Sequence, residues 1–124
     1  MAAPNIVNVS TIIGKSATIA LTSTNATALV SNAASSSKVF KINMIQVANV
    51  DGSNACAVTI DMHSAAAGGG TAYSIMSEVT VPAKASIVAL DKNTAVYLEE
   101  DRSITATAGT ASDLEVIISY EEIS

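Results

Sequence analysis

From Lys15 onward the apolar positions recur with a period close to two, the pattern of strands that bury one face. Ala17, Ile19 and Leu21 alternate with Thr18, Ala20 and Thr22 before a turn at Ser23, Thr24 and Asn25. Ala28 and Val30 mark a short strand, ended by an aperiodic Asn, Ala and Ser loop over 31–37. In the next segment Phe40, Ile42 and Met44 share one phase, and Ile45 and Val47 then take over the other. That switch predicts a β-bulge or a strand passing between sheets. Asp51-Gly52 separates it from the alternation Cys56, Val58, Ile60, Met62, which reads as a hairpin. Three alanines and then Gly68, Gly69 and Gly70 predict a flexible loop tip, and further strands are expected over 72–81, 86–90, 95–99, 103–108 and 114–120.

Eight or nine strands spaced roughly 8–12 residues apart, with no sustained helical period, predict an all-β fold. The expected form is a single-domain antiparallel β-sandwich or jelly roll of about eight strands, with a barrel as the alternative. Residues 1–13 read as an extended N-terminal arm and 14–124 as the sandwich domain. The arm either adds a strand at a sheet edge, lies on a neighbouring molecule, or forms a partly ordered tail.

Composition narrows the chemistry. Of the 49% apolar residues, 22 are alanines, which bury little area each, so the core rests on Ile, Val, Leu and a few larger side chains. The net charge is −5 and no two basic residues adjoin, which argues against sequence-independent nucleic-acid binding. No stretch approaches the roughly 20 apolar residues of a membrane helix, and nothing resembles a signal peptide, so synthesis in a cytoplasm is expected. The single Cys56 excludes an intramolecular disulfide and is expected inside a strand as a small hydrophobe.

Groups able to do chemistry are few. The chain has one His, and His63 shares a strand face with Asp61, which predicts a polar surface pair rather than a metal site. Glu99, Glu100 and Asp101 precede Arg102 and read as a solvated turn with local charge balance. The Gly68–Gly70 run lacks the Lys-Ser/Thr and the helix of a phosphate-binding loop. Tyr73, Tyr97 and Tyr120 could stack on a sugar, but their strand patterns favour packing at the core edge. No Ser/His/Asp set or nucleophile elbow is present in the pattern, so no enzymatic activity and no cofactor are expected.

The start AAPNIVNVSTIIGK, the segment KVFKINMIQVANVDGSNACAVTIDM, the loop AAAGGGTAY, the stretch VPAKASIVALDKNTAVYLEEDRSI and the tail DLEVIISYEEI span most of the chain. Together they resemble small virion structural proteins of tailed bacteriophages, particularly those infecting cyanobacteria. The resemblance implies a particle component, expected here to be a capsid decoration or cement protein on the virion surface. Its partner would be the major capsid protein lattice, which it would stabilise by binding only the mature head. The contact is expected at Ile6, Val7 and Val9 of the arm, by strand addition, with the loops 31–37 and 65–70, including Gly68, Gly69 and Gly70, as alternatives. Alanine-rich faces suggest a small homo-oligomer. A neck or tail ring component and a host-surface glycan-binding module are the competing expectations.

Overall fold

A computed structural model describes residues 4–124. Nine strands form two antiparallel sheets: β1 (Ile12–Leu21), β2 (Thr27–Asn32), β3 (Val39–Asn49), β4 (Cys56–His63), β5 (Ala72–Val81), β6 (Ser86–Leu90), β7 (Val96–Leu98), β8 (Arg102–Ala108) and β9 (Leu114–Ile123). The first sheet has the order β1-β9-β3-β6, with β7 following β6 along the same edge of β3. The second has the order β2-β8-β4-β5. With β6 and β7 taken as one interrupted strand, the pairs β1/β9, β2/β8, β3/β6–β7 and β4/β5 are nested inside one another. A long hairpin rolled up about its tip gives that order, and it is the jelly-roll arrangement of the sandwich.

Period two in the sequence becomes the inward row of each strand. Leu114, Val116 and Ile118 of β9 are buried while Glu115 and Ile117 face out, and the row meets Leu21, Val47, Ile45, Val58, Ile60 and Ile104 in one core. The phase switch in β3 is a bulge: Ile42 opposes Tyr120 and Met44 opposes Ser119, so Asn43 is the extra residue. Ile42 and Ile45 can then both point inward.

The hairpin expected at Asp51-Gly52 does not form. β3 lies in one sheet and β4 in the other, so this turn is a corner of the sandwich, and among the described residues the two consecutive strands that pair directly are β4 and β5. The Asp51 carboxylate shapes the corner by accepting the Ser53 and Asn54 N–H groups at 2.8 and 3.3 Å. Two buried asparagines tie the sheets together. Asn49 of β3 donates from Nδ2 to the carbonyls of Val81 (2.9 Å) and Asn54 (3.0 Å), and Asn32 of β2 donates to those of Leu98 (3.0 Å) and Lys38 (2.9 Å). Each satisfies carbonyls at a crossing that no ladder can reach.

Cys56 is buried in β4, as its strand position required. The arm differs from the extended form expected. Its residues 1–3 lie outside the described residues; within 4–11 the chain makes a turn at Ile6–Val7 and no strand, and β1 begins at Ile12. Asn5 explains the turn: its carbonyl accepts the Asn8 N–H and its side chain accepts the Val7 N–H at 3.0 Å.

Candidate functional site

The strand registers sort the loops into two ends. Ile12 and Val39 both oppose Ile123, Phe40 opposes Leu98, Asn32 opposes Arg102, and His63 opposes Ser103 and Ala72. The arm, the 33–38 loop, the glycine loop 64–71 and the 99–101 turn are therefore neighbours at one end of the sandwich. Both sets of residues singled out in the sequence lie at this end, Ile6 of the Ile6, Val7 and Val9 set beside Val39, Tyr97 and Glu99, and the Gly68, Gly69 and Gly70 loop against Ser31, Asp101 and Ser103, with the 31–37 segment also there.

This end carries apolar surface. Among the described residues ten large hydrophobic side chains are exposed, and six of them, Ile6, Val7, Ile12, Ile13, Tyr73 and Tyr97, belong to it. Val7 at the turn tip is 90% exposed. Pro4 and Ile6 lean toward Val39, Tyr97 and Glu99, leaving a shallow trough of about 200 Å³ between arm and sheet. Val9 is half-buried. Tyr73 and Tyr97 are not packed at the core edge as expected, since they are 65% and 46% exposed. Tyr120 does pack there, its ring 5.4 Å from that of Phe40.

The glycine loop is pinned, not a flexible tip. It closes at its base, where Ser64 N–H donates to the Thr71 carbonyl and Thr71 N–H to Ser64 Oγ, and it folds back over the outer face of the second sheet. Asp101 Oδ1, Ser31 Oγ and Ser103 Oγ accept the N–H groups of Ala66, Ala67 and Gly68 at 3.0, 2.8 and 2.8 Å. Ser103 Oγ donates in turn to the Ala65 carbonyl, and Arg102 donates to that of Ser64. Arg102 thus grips the loop instead of balancing the acidic run. Gly68 and Gly70 hold φ of 74° and 67°, and a Cβ on Gly70 would collide with Ser64 Oγ.

Beneath this strap lies His63, 8% exposed. The surface pair with Asp61 is absent: Asp61 accepts from Ser74 Oγ at 2.8 Å, while His63 Nε2 meets Thr105 Oγ1 at 2.8 Å. Its Nδ1 is buried without a partner, which is least costly when Nδ1 carries the lone pair and Nε2 the proton. Gly68 sits over Thr105, completing the cover. Among the described residues no three His, Cys, Asp or Glu side chains gather to hold a metal ion, and no helix is long and apolar enough to cross a membrane.

One charged cluster closes this end of the sandwich. Glu122 lies on the inward row of β9 and is buried, and Lys15 and Lys38 each reach one of its oxygens at 2.9 Å. Hydrogen bonds from Lys38 and then Lys15 hold the Glu122 carboxyl below the usual carboxylate range, and Glu122 raises the Lys15 ammonium above the usual lysine range. The cluster joins β1, the 33–38 loop and β9.

The chain matches no protein-family model and no curated protein. What the site offers is therefore judged from its geometry: an apolar turn and two exposed tyrosines at the end of the sandwich that also carries the pinned loop and the ion-paired cluster. Exposed apolar side chains gathered at one end suit the docking of a macromolecule. Sequence reasoning weighed Tyr73 and Tyr97 but expected them packed at the core edge, and it did not single out Ile12 and Ile13. Strand registers, which no local pattern reveals, place them at this end.

Proposed function

We propose that the chain is a non-enzymatic virion structural protein, a capsid decoration or cement protein whose arm end docks on the major capsid protein lattice of a tailed-phage head. The observation that carries the docking part is the concentration of exposed apolar side chains at one end, around Ile6, Val7, Tyr97 and Tyr73. The particle itself is suggested by the sequence resemblance. A jelly roll agrees with both, since that architecture serves viral capsid and lectin domains, although a fold alone assigns no function.

Docking would work by mass action. A protein that binds only the expanded lattice lowers the free energy of that lattice by the free energy of binding, so heads carrying it resist opening. Val7 and Ile6 would bury on capsid surface, Val9 would follow as the arm straightens, and the 64–71 strap would supply a fixed rim. Turn formation in the free protein keeps the arm off neighbouring sheet edges until it meets its target. The pinned Gly68–Gly70 segment enters as a rigid contact and not by ordering on binding.

The exposed tyrosines favour one competing role, recognition of a host-surface glycan by aromatic stacking. Purified protein mixed with expanded heads lacking it separates the readings. Copies at repeating lattice positions in cryo-electron microscopy, lost when Ile6 and Val7 are changed to Ser, support the cement role. A ring at the tail vertex, or binding to host cells with none to heads, overturns it.

A further inference from the structure

We infer that the free edge of β1 is a pairing surface for a second copy of this chain, joining two sandwiches through a continuous antiparallel sheet about a two-fold axis at Ser16. The inference stands on strand geometry and does not depend on the capsid reading.

A sheet edge exposes unpaired N–H and C=O groups, and proteins normally blunt it. Three of the four edges here are blunted. β2 has six residues and a register shift at Ala28–Val30, and the glycine strap is bonded to its Ser31. β5 meets its neighbour through two register shifts and holds Glu78 at φ 47°. The β6–β7 edge is interrupted by a 3-10 turn at Lys92–Thr94. β1 has none of these devices. Its ten residues pair with β9 in unbroken register, and it contains no proline. Among the described residues, the one backbone bond outside the β1/β9 ladder is that of Ser112 N–H to the Leu21 carbonyl, at the strand's last residue.

Charge guards this edge poorly. The only charged residue of β1, Lys15, is turned to Glu122. All eleven acidic residues of the chain lie at or after Asp51, so two copies with net charge −5 meet at β1 without opposing carboxylates on the paired strands. The inward row is also left open: Ile13 is 48% exposed and Ile19 half-buried, so the core is not closed over on this side.

Symmetry limits the register. Outward rows of two sheets stay on one side of a continuous sheet only if a residue is opposed by one of the same parity, so the axis must pass through a residue. At Lys15 it would set like charges opposite one another, which is unfavourable. At Ser16 it places Ile13 opposite Ile19, Ile12 opposite Ala20, Gly14 opposite Thr18 and Lys15 opposite Ala17, and it leaves the capped Leu21 outside the ladder. Ile13 and Ile19 gain an apolar cross-strand partner.

The test is sedimentation velocity on the full chain over a range of concentrations, with circular dichroism confirming the fold of each variant. Ser16 is exposed and opposes Ser119, so a charge there fits the folded monomer. Wild type is expected to reach a dimer. Ser16→Lys and Ser16→Glu each set like charges across the axis and should weaken dimerisation roughly tenfold or more. An equimolar mixture of the two should recover a heterodimer. A wild type that stays monomeric, a dimer indifferent to Ser16→Lys, or a mixture that stays monomeric overturns the inference.

Discussion

Glu122 shows how one residue can set the pH response of a whole domain end. Its place on the apolar row of β9 would normally exclude a charge, and two lysines from separate segments make it tolerable. Because its folded pKa lies below the unfolded value, its contribution is fully present above the ordinary carboxylate range and disappears as pH falls through the folded pKa. Lys15 is shifted the other way, so its share persists through neutral pH and is lost only as pH rises through its raised value. Asp51, held low by the Ser53 N–H, adds to the acid limb. Thermal unfolding should therefore be flat between about pH 5 and 9 and weaken below about pH 4. Glu122→Gln should lower the midpoint by a few degrees at pH 7, and the two curves should converge toward about pH 2, where the wild-type carboxyl is also neutral. A constant gap at every pH would show that the carboxylate's charge contributes nothing.

At the scale of elements, the strap over His63 is the least local structure in the fold. Its anchors come from β2, the 99–101 turn and β8, and Ser103 Oγ is the central one, accepting from Gly68 and donating to Ala65. Ser103→Ala leaves both groups without that partner and should cost about 1–3 kcal/mol. The expected signature is local, with faster amide exchange at Ala66, Ala67 and Gly68 while core amides of β9 change less. Uniform acceleration would mean that the strap is not a separate unit. The strap also marks the limit of sequence reading. Strands over 72–81 and 86–90 coincide with β5 and β6, and the β3 bulge was visible as a phase switch, because burial writes itself into alternation. Asp51-Gly52 signalled a reversal of direction correctly, but a turn cannot reveal whether the returning strand stays in its sheet. His63 looked like a surface residue because it follows Asp61 at period two, but the adjacent strap covers it only because Ser31, Asp101 and Ser103 hold the strap down, and its partner Thr105 is 42 positions away. Gly68 and Gly70 were noticed as glycines, yet the same composition serves a pinned loop with positive φ and a loose one.

For the whole molecule, nested pairing makes the first and last strands neighbours, and Ser10 and Thr11 complete that closure by donating to the Ser124 carbonyl. Residues 4–9 before them contribute little to the fold. Their backbone bonds are local to Asn5, and their side chains border an open trough and not the core. Removing residues 1–9 should therefore change stability by no more than about 0.5 kcal/mol. Ile118→Ala, which empties a fully buried site on β9, should cost about 2–5 kcal/mol. The same deletion separates the two surfaces argued above. Pairing through β1 uses residues from Ile12 onward and should survive it, whereas docking on a capsid lattice through Ile6, Val7 and Val9 should be lost. Thermal unfolding, sedimentation and head binding of one shortened protein then give three independent readings. Loss of folding would make the arm structural, loss of the dimer would move self-association to the arm, and retained head binding would move docking to the strap and tyrosines.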